Sequence, residues 1–206
     1  AIYIHIMGNI QLEILGKVVE ERFDYSVTFQ TPEILYKETI DTTVTGYGHF
    51  EPWKHYAEVH LRMEPAARET GITFENQCHV DDLSPGNQNL VRQHLFERNH
   101  HGLLTGSTLT DVKITLLKGL AHNQHTKGGD FREATFRALR QGLEQAKNVL
   151  LEPYYNFTIK VDIDHIGRVM SDIQQAHGTF SPADINGDKA TLSGKVPVAT
   201  FMDYHV

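Results

Sequence analysis

The sequence lacks the features that would place the protein outside the cytoplasm. It contains a single cysteine, Cys78, so an internal disulfide and a cysteine-rich zinc motif are both excluded. No apolar run approaches the roughly 18 residues that a membrane span needs. Residues 1–8 also lack the basic start and apolar stretch of a signal peptide. We therefore expect a cytoplasmic protein that does not contact a membrane.

Motifs for nucleotide binding and hydrolysis are also missing. The sequence has no GxxxxGK[ST], GxGxxG, GxSxG or HExxH pattern. The acidic pairs Asp81 with Asp82 and Asp162 with Asp164 lie at predicted strand ends, where solvated carboxylates are common. We therefore predict no catalytic residue and no bound cofactor in this chain.

What is present is a soluble composition with an uneven charge. Hydrophobic residues make up 40% of the 206 residues, which excludes bulk disorder, and the formal net charge is -7. Residues 1–82 carry 6 basic and 14 acidic side chains, residues 83–150 carry 9 and 5, and residues 151–206 carry 4 and 7. The basic middle segment is typical either of an RNA-contacting face on an acidic chain or of a solvated helix face.

Hydrophobic periodicity predicts a mixture of helices and strands. The predicted helices cover residues 10–19, 84–99, 165–176 and a segment that begins at Asp130 and is stopped by Pro153. The predicted strands cover residues 1–7, 23–29, 34–40, 57–63, 72–80, 112–116 and 155–161, followed by a hairpin at Asn186 and Gly187. Strand 72–80 is expected to pair with strand 57–63, and residues 119–129 are expected to form a loop.

This order of elements predicts one complete domain between two partial ones. Residues 1–40 form a β-α-β unit, residues 41–151 the complete domain, and residues 152–206 a β-α-β-β unit. A ferredoxin-type domain would need one more helix and strand after the last of these. The chain also has no initiator Met, so we expect it to be a piece of a longer protein.

The loop before Asp130 holds the candidate functional side chains. Its hydrogen-bonding and stacking groups, which can contact bases, 2′-hydroxyls and phosphates, are His122, Asn123, Gln124, His125, Thr126 and Lys127, with Arg132 behind them. Metal binding by His122 and His125 with His100 is an alternative interpretation, and ordinary surface histidines are another. Trp53 is either a core aromatic or an exposed base-stacking ring, and we favour the core.

Three stretches of the sequence together resemble the C-terminal half of elongation factor G and its relatives, the ribosomal protection tetracycline-resistance proteins. The stretches are MGNIQLE (7–13) with PEILYKETI (32–40), GYGHF (46–50) with EP (64–65) and GSTLTDVKITL (106–116), and LLEP (150–153) with GKVP (194–197). Their order and spacing cover essentially the whole chain. Gly8 and Pro153 in these stretches are expected to serve backbone geometry.

The resemblance implies an α+β fold in which a complete domain IV-like module, ribosomal protein S5 domain 2-like, is flanked by partial ferredoxin-like domains III and V. In that family the tip loops of domain IV enter the decoding region of the small ribosomal subunit. By position, the main tip loop is His122 to Lys127, and Arg132 supports it. The second tip loop consists of Tyr47, Gly48, His49, Phe50 and Trp53.

The resemblance also implies what the parent protein does. It would be a GTPase that binds GTP and magnesium in an upstream domain, while this monomeric fragment binds small-subunit rRNA and hydrolyses nothing. Asp130, Phe131 and Arg132 are similar to the resistance proteins, but residues 123–126 lack their serine-proline-valine-serine run. The leading hypothesis is a ribosomal protection protein. The alternatives are a translocation or ribosome-remodelling factor without a drug role, and a metal-dependent enzyme that uses His100, His122 and His125.

Overall fold

The structure, a computed structural model, describes residues 2–204 and has the predicted α+β character. Its helices are α1 (Ile10–Phe23), α2 (Pro85–Phe96), α3 (Asp130–Gln145), α4 (Ile166–Gln175) and α5 (Val198–Phe201). Its strands are β1 (Lys37–Ile40), β2 (Val44–Phe50), β3 (Ala57–Pro65), β4 (Ile72–Asn76), β5 (Thr108–Leu109), β6 (Val112–Ala121), β7 (Asn148–Leu151), β8 (Tyr154–Asp162), β9 (Thr179–Phe180), β10 (Asp184–Asn186) and β11 (Lys189–Pro197). None of the helices in this described range has the length and apolar character that crossing a bilayer requires.

The chain divides into two compact units. Tyr36–Leu151 forms one of them, and the segments on either side of it form the other. The central unit contains a sheet in the order β2-β3-β6-β4, in which β2, β3 and β6 are antiparallel and β4 runs parallel to β6.

The predicted pairing of β4 with β3 is wrong, because β6 lies between them. Helix α2 follows β4 and carries the chain back across the sheet, which is the connection that parallel neighbours require. Strand β4 also ends at Asn76 rather than at residue 80. The Asn76 side chain accepts a hydrogen bond from the Cys78 N–H (3.0 Å) and donates one to Gln88 (2.7 Å), which turns the chain toward α2.

Helix α3 packs directly on strand β2 through two glycines. A Cβ atom on Gly46 would lie 2.0 Å from the Ala138 carbonyl oxygen, and one on Gly48 would lie 1.8 Å from the Ala134 carbonyl oxygen. The helix backbone therefore touches the strand backbone without an intervening side chain. The two glycines of the GYGHF motif thus serve packing, and only glycine fits at these two positions.

The core of the central unit is formed by the buried face of the sheet and the apolar faces of α2 and α3. Strand β3 alternates between buried and half-buried residues as predicted. Helix α2 begins where predicted, with the Ser84 hydroxyl accepting a bond from the Asn87 N–H and proline at the first helical position. The largest buried apolar side chains are Ile40, Leu61, Met63, Leu83, Leu95, Ile114, Leu116 and Phe131.

Helix α3 ends before Pro153, contrary to the prediction. The Asn148 amide donates hydrogen bonds to the carbonyl oxygens of Leu143 (2.7 Å) and Ala146 (3.0 Å), so it satisfies carbonyls that the ending helix leaves free. The chain then forms β7, which pairs antiparallel with β1, while β1 pairs in parallel with β5. These three strands make a second, smaller sheet.

The other unit contains the sheet β10-β11-β8, with β9 also paired to β11. Helix α4 follows a single 3-10 turn, Ile163–His165, and packs Val169 and Ile173 against Val161 and Leu192. The predicted hairpin at Asn186 is confirmed. Gly187 occupies its turn with φ +66, a conformation that glycine adopts without the Cβ penalty.

Helix α1 is also confirmed and runs longer than predicted, from Ile10 to Phe23, where Asp24 ends it in a left-handed conformation. The predicted strands on either side of it are wrong: residues 2–7 and 23–29 are not in strands, and Ala1 lies outside the described residues. Within the described range no strand pairs with these segments. An isolated extended segment has no ladder of hydrogen bonds to hold it.

Candidate nucleic-acid interface

Two connections meet at one end of the main sheet and form its tip. Residues 51–56 join β2 to β3, and residues 122–129 join β6 to α3. They lie side by side because Ala57, at the start of β3, pairs with Ala121, at the end of β6. The predicted loop 119–129 is therefore shorter, since β6 continues through Ala121.

A buried carboxylate fixes the geometry of both tip loops. Asp130 is 2% exposed, and its side chain accepts hydrogen bonds from the backbone N–H groups of Lys127 (2.7 Å) and Tyr56 (3.3 Å). Its Oδ1 atom also lies 2.7 Å from Nδ1 of His55. Helix α3 begins at Asp130 as predicted, its cap position is Gly129, and the Asp130 carboxylate joins residues from both loops.

Thr126 makes a second connection between the loops. Its hydroxyl donates a hydrogen bond to the Tyr56 carbonyl oxygen (2.7 Å) and accepts one from the His122 N–H (2.8 Å). The N–H groups of His125 and Thr126 both donate to the His122 carbonyl oxygen. Loop 122–129 is thus a turn closed by its own backbone. Of the predicted main-loop residues, Thr126 has a structural role.

The remaining predicted side chains of this loop face solvent. The rings of His122 and His125 stack with 4.4 Å between centroids, and Nδ1 of His122 accepts a bond from the Gln124 N–H (3.2 Å). Asn123, Gln124 and Lys127 are exposed. The loop therefore presents two stacked rings, two amides and one ammonium group beyond the end of the sheet.

The second predicted tip loop needs correction. Tyr47, Gly48, His49 and Phe50 lie in strand β2, and Gly48 is buried against α3. Their alternation of buried and exposed residues is that of a strand with one face on a helix. The actual loop is 51–56, so only Trp53 of the predicted set belongs to it.

The expectation that Trp53 belongs to the core is wrong. The residue is 86% exposed and lies at the turn of loop 51–56, where Lys54 adopts φ +58. The Lys54 ammonium group lies 5.9 Å from the centroid of the Trp53 ring. An indole and an ammonium group in this arrangement offer a stacking surface next to a positive charge.

The solvent-facing side of β2 and β3 carries a row of aromatic and titratable groups. The rings of Tyr47 and His60 meet edge-on with 4.8 Å between centroids, and those of His49 and Tyr56 at 5.6 Å. Glu58 accepts hydrogen bonds from His60 (2.6 Å) and Tyr56 (3.2 Å). Burial alone would raise the pKa of Glu58, but these two bonds hold it below its usual value. Burial, and then the bond to Glu58, raises the pKa of Tyr56.

The arginines behind the tip are engaged with other groups. Arg132, predicted to support the tip loop, pairs with Glu97 at the end of α2 and lies over the ring of Phe136. Arg137, which sequence reasoning missed, donates a hydrogen bond to the His49 carbonyl oxygen (3.0 Å) and lies over Phe50. Helical spacing could have identified Arg137 from the sequence, because it places this residue on the side of α3 that faces the strand.

The structure does not bring together the histidines of the metal-enzyme alternative. His100 is buried and bonds to the Leu95 carbonyl oxygen, with its ring against Phe136. Among residues 2–204 there is no group of three or more His, Cys, Asp or Glu side chains placed to hold a metal ion. Of the acidic pairs, Asp81 lies 3.2 Å from His79, and Asp162 pairs with Lys189.

Comparison with curated proteins gives relatives that match nearly the whole chain. The tetracycline resistance protein TetP of Clostridium perfringens is 29% identical over 205 residues, which are 98% of this chain and 31% of that protein. The tetracycline resistance protein TetO of Campylobacter coli is 27% identical over 98% of this chain and 32% of that protein. The chain thus spans about a third of the length of these relatives.

Comparison with solved structures and with family models agrees on the fold. A crystal structure of a protein from Thermus thermophilus superimposes with a TM-score of 0.82, at 24% identity, over 96% of this chain and 30% of that one. Residues 149–206 match the family model described as elongation factor G C-terminus, and residues 32–147 match the model described as elongation factor G, domain IV. The predicted fold class and resemblance are confirmed, and the chain belongs to the elongation factor G domain IV family.

Proposed function

We propose that this chain is the ribosome-binding part of a translation-factor GTPase of the ribosomal protection type. Similarity to tetracycline resistance proteins over 98% of the chain supports this assignment. In this proposal Tyr36–Leu151 is the tip-bearing domain IV, so the boundary predicted after residue 40 moves to residue 35. The segment before it belongs to domain III and residues 152–206 to domain V. GTP and magnesium bind a domain outside this chain, and the protein acts as a cytoplasmic monomer.

The observation that carries the proposal is the construction of the tip. Two loops are held rigidly by the buried Asp130 and by Thr126, while their remaining side chains face solvent. Exposed side chains that served only to keep the protein soluble would not need loops fixed by buried hydrogen bonds. A frame that fixes exposed stacking rings and amides suits recognition of a shaped polar surface.

The exposed groups have the chemistry that RNA recognition requires. The rings of Trp53, His122 and His125 can stack on unpaired bases. The amides of Asn123 and Gln124 can bond to base edges and 2′-hydroxyls, and the ammonium groups of Lys54 and Lys127 can pair with phosphates. We therefore assign the tip to small-subunit rRNA near the decoding region.

The test uses the full-length protein in a reconstituted translation system inhibited by tetracycline. GTP and elongation factor G are supplied from the start, so a rescue of peptide synthesis cannot be ascribed to translocation. Rescue is the expected result. Absence of rescue, with stimulation of translocation when elongation factor G is left out, would overturn the drug-protection role.

Variants of the tip connect this activity to the proposed residues. We expect Lys127→Ala and His122→Ala to reduce rescue while circular dichroism and GTP binding stay unchanged. Arg68→Ala is the matched control for Lys127→Ala, because Arg68 is an exposed cation in the connection between β3 and β4, at the other end of the same sheet. Equal loss with Arg68→Ala would mean that general charge, not the tip, determines activity.

One observation favours a second candidate function. Residues 123–126 read NQHT, without the proline-containing serine run expected of the resistance proteins. A tip with a different loop would contact the decoding region differently. The second candidate is a translocation or ribosome-remodelling role without drug release. The experiment without elongation factor G distinguishes it from drug protection.

A further inference from the structure

A polar cavity lies in the central unit, where helix α2 ends. Its volume is about 300 Å³, at the lower limit of the range of small-ligand sites. Its apolar lining includes Ile72, Leu95 and Leu109. Phe96 separates this cavity from an open groove along α2 that is lined by Asn89, Arg92, Gln93 and Glu97. The polar lining of the cavity consists of Lys37, Arg98, Asn99, His100, Thr108 and Thr110.

The charge around this cavity is positive and largely uncompensated. Within residues 2–204, Lys37, Arg92 and Arg98 form no ion pair with a carboxylate. Glu97, the carboxylate that lines the groove, is occupied by Arg132 and His94. Two exposed cations, Lys37 and Arg98, therefore line the cavity, and a third, Arg92, lines the adjoining groove, which favours a ligand with phosphate groups.

The arginines are held by stacking and not by salt bridges. The guanidinium carbon of Arg98 lies 3.9 Å from the centroid of the Phe136 ring, and that of Arg92 lies 5.9 Å from the Phe96 ring. A stacked guanidinium keeps its N–H groups free for phosphate oxygens. Phe96 itself is 49% exposed, so part of its ring is available for a base.

His100 adds a hydrogen-bond acceptor to the cavity wall. It is 6% exposed, and its Nε2 lies 2.8 Å from the Leu95 carbonyl oxygen, which can only accept a hydrogen bond. In the neutral ring this assigns the proton to Nε2 and leaves Nδ1 as an acceptor. Burial holds the pKa of His100 below its usual value, despite the bond to Leu95. Nδ1 is therefore suited to a ligand hydroxyl or amino group.

From this combination we infer that the surface formed by Lys37, Arg92, Phe96, Arg98 and His100, here called the α2-end surface, binds an unpaired nucleotide of single-stranded RNA. The cations bind the phosphates on either side of the nucleotide. The base stacks on Phe96 over the cavity, and Nδ1 of His100 accepts a hydrogen bond from the ribose 2′-hydroxyl or an exocyclic amino group.

This surface is distinct from the tip. Ile72, in the cavity wall, pairs with Val112 at the start of β6, whereas loop 122–129 follows the end of that strand. Nine residue steps along a strand separate Ile72 from the tip by roughly 30 Å. Arg98 lies nearer to the tip, because it stacks on Phe136, six residues along α3 from Asp130. The inference rests on the proposed function in that ribosomal RNA supplies the unpaired nucleotide, and it adds a second binding surface for the same partner.

The probe is a single-stranded RNA of about ten nucleotides that carries 4-thiouridine, bound to the full-length protein and cross-linked by light. We expect cross-links in the peptide 89–100. The double variant Lys37→Ala with Arg98→Ala should lower affinity about tenfold. The slope of log K against the logarithm of the salt concentration should also become less steep by about 0.7 for each phosphate that the variant no longer neutralises.

Matched variants separate recognition from charge and from folding. Phe96→Leu keeps an apolar side chain and should lose about tenfold in affinity, whereas Phe96→Tyr keeps the ring and should bind normally. Arg168→Ala removes an exposed arginine in α4, in the other unit, and should have no effect. Normal binding by Phe96→Leu, or competition by poly-glutamate equal to that by unlabelled RNA, would overturn nucleotide recognition.

The tip variant Lys127→Ala distinguishes this inference from the proposed function. Loss of cross-links at peptide 89–100 only in the Lys37 and Arg98 double variant supports the α2-end surface. If affinity falls with Lys127→Ala and not with the double variant, the tip is the RNA site and the α2-end inference is wrong. Unchanged affinity in both would overturn both assignments.

Discussion

Nδ1 of His55 lies 2.7 Å from Oδ1 of Asp130, although 75 residues separate them in the chain. His55 is in loop 51–56 and Asp130 is the first residue of α3, so this contact links the two loops of the tip. The other Asp130 oxygen accepts the backbone bonds from Tyr56 and Lys127. A single buried carboxylate therefore joins the two loops that carry the exposed groups we assign to RNA.

We expect Asp130→Asn to loosen the tip and to destabilise the domain by about 2–3 kcal/mol. The buried carboxylate accepts hydrogen bonds through both oxygens, whereas the NH2 group of an amide can only donate one. Urea unfolding measures this difference. Glu133→Gln, at an exposed acid in the same helical turn, is the control and should stay within about 0.5 kcal/mol of the parent. Similar losses in both variants would mean that helix-terminus charge, and not the hydrogen bonds to the loops, is what matters.

Gly48→Ala should prevent normal packing of α3 on β2. Its Cβ atom would lie 1.8 Å from the Ala134 carbonyl oxygen, so the helix must move, and we expect a loss above about 3 kcal/mol. Gly86→Ala is the contrasting substitution. Nothing lies within 4 Å of its Cβ position in the first turn of α2, and it should stabilise the protein by about 0.5 kcal/mol. Thermal unfolding of the two variants should therefore shift in opposite directions.

Glu38 predicts a pH dependence of stability. Its side chain is fully buried in β1 and accepts hydrogen bonds from the N–H groups of Leu104 (2.7 Å), Thr105 (3.1 Å) and Ser107 (2.9 Å). Burial alone would raise the pKa of Glu38, but these bonds hold it below its usual value. Because the folded pKa is the lower one, the stabilisation is complete above about pH 4.5 and is lost as the pH falls through the folded pKa.

The test compares the parent with Glu38→Gln by urea unfolding from about pH 7 to about pH 3. The variant should be about 2–3 kcal/mol less stable at neutral pH, and this difference should shrink below about pH 4.5 as Glu38 becomes protonated. Glu69→Gln, at an exposed position before β4, is the control and should change little at any pH. A constant difference between parent and Glu38→Gln across the range would contradict the ionised state of Glu38.

Trp53→Ala should leave stability unchanged within about 0.5 kcal/mol, because the ring is 86% exposed. Binding of the full-length protein to ribosomes should weaken about tenfold if the ring stacks on a base, and Trp53→Phe should retain most of the affinity. Filter binding at two salt concentrations measures this effect. Normal affinity in Trp53→Ala would remove Trp53 from the interface, and a large stability loss would restore it to the core.

Sequence patterns predicted the helices, strands and turns that are determined by residues close together in the chain. The strict alternation of β3, the cap and proline that begin α2, the helical spacing of α3 and the Asn-Gly turn before β11 all appear in the structure. Each depends on residues a few positions apart. The overall fold could be predicted because the motifs that identify the family are also short stretches of sequence, such as GYGHF in β2 and GKVP in β11.

The remaining features depend on partners far away in the sequence. Strand β4 has the pattern of a strand, but the pattern does not specify that β6, and not β3, is its neighbour. Residues 23–29 alternate like a strand and form none, because no strand pairs with them within the described range. The exposure of Trp53 and the role of Asp130 likewise follow from the meeting of two loops, which periodicity does not show.

The packing of α3 on β2 determines how the tip responds to load. Side chains between a helix and a sheet can change rotamer when they are pushed, and so absorb small displacements. At Gly46 and Gly48 no side chain intervenes, and backbone meets backbone. A displacement at the tip therefore passes from loop 122–129 into α3 and on to the sheet as one stiff body. If the tip binds RNA as proposed, such a module would transmit force from the RNA to its own base and would not dissipate it by local bending.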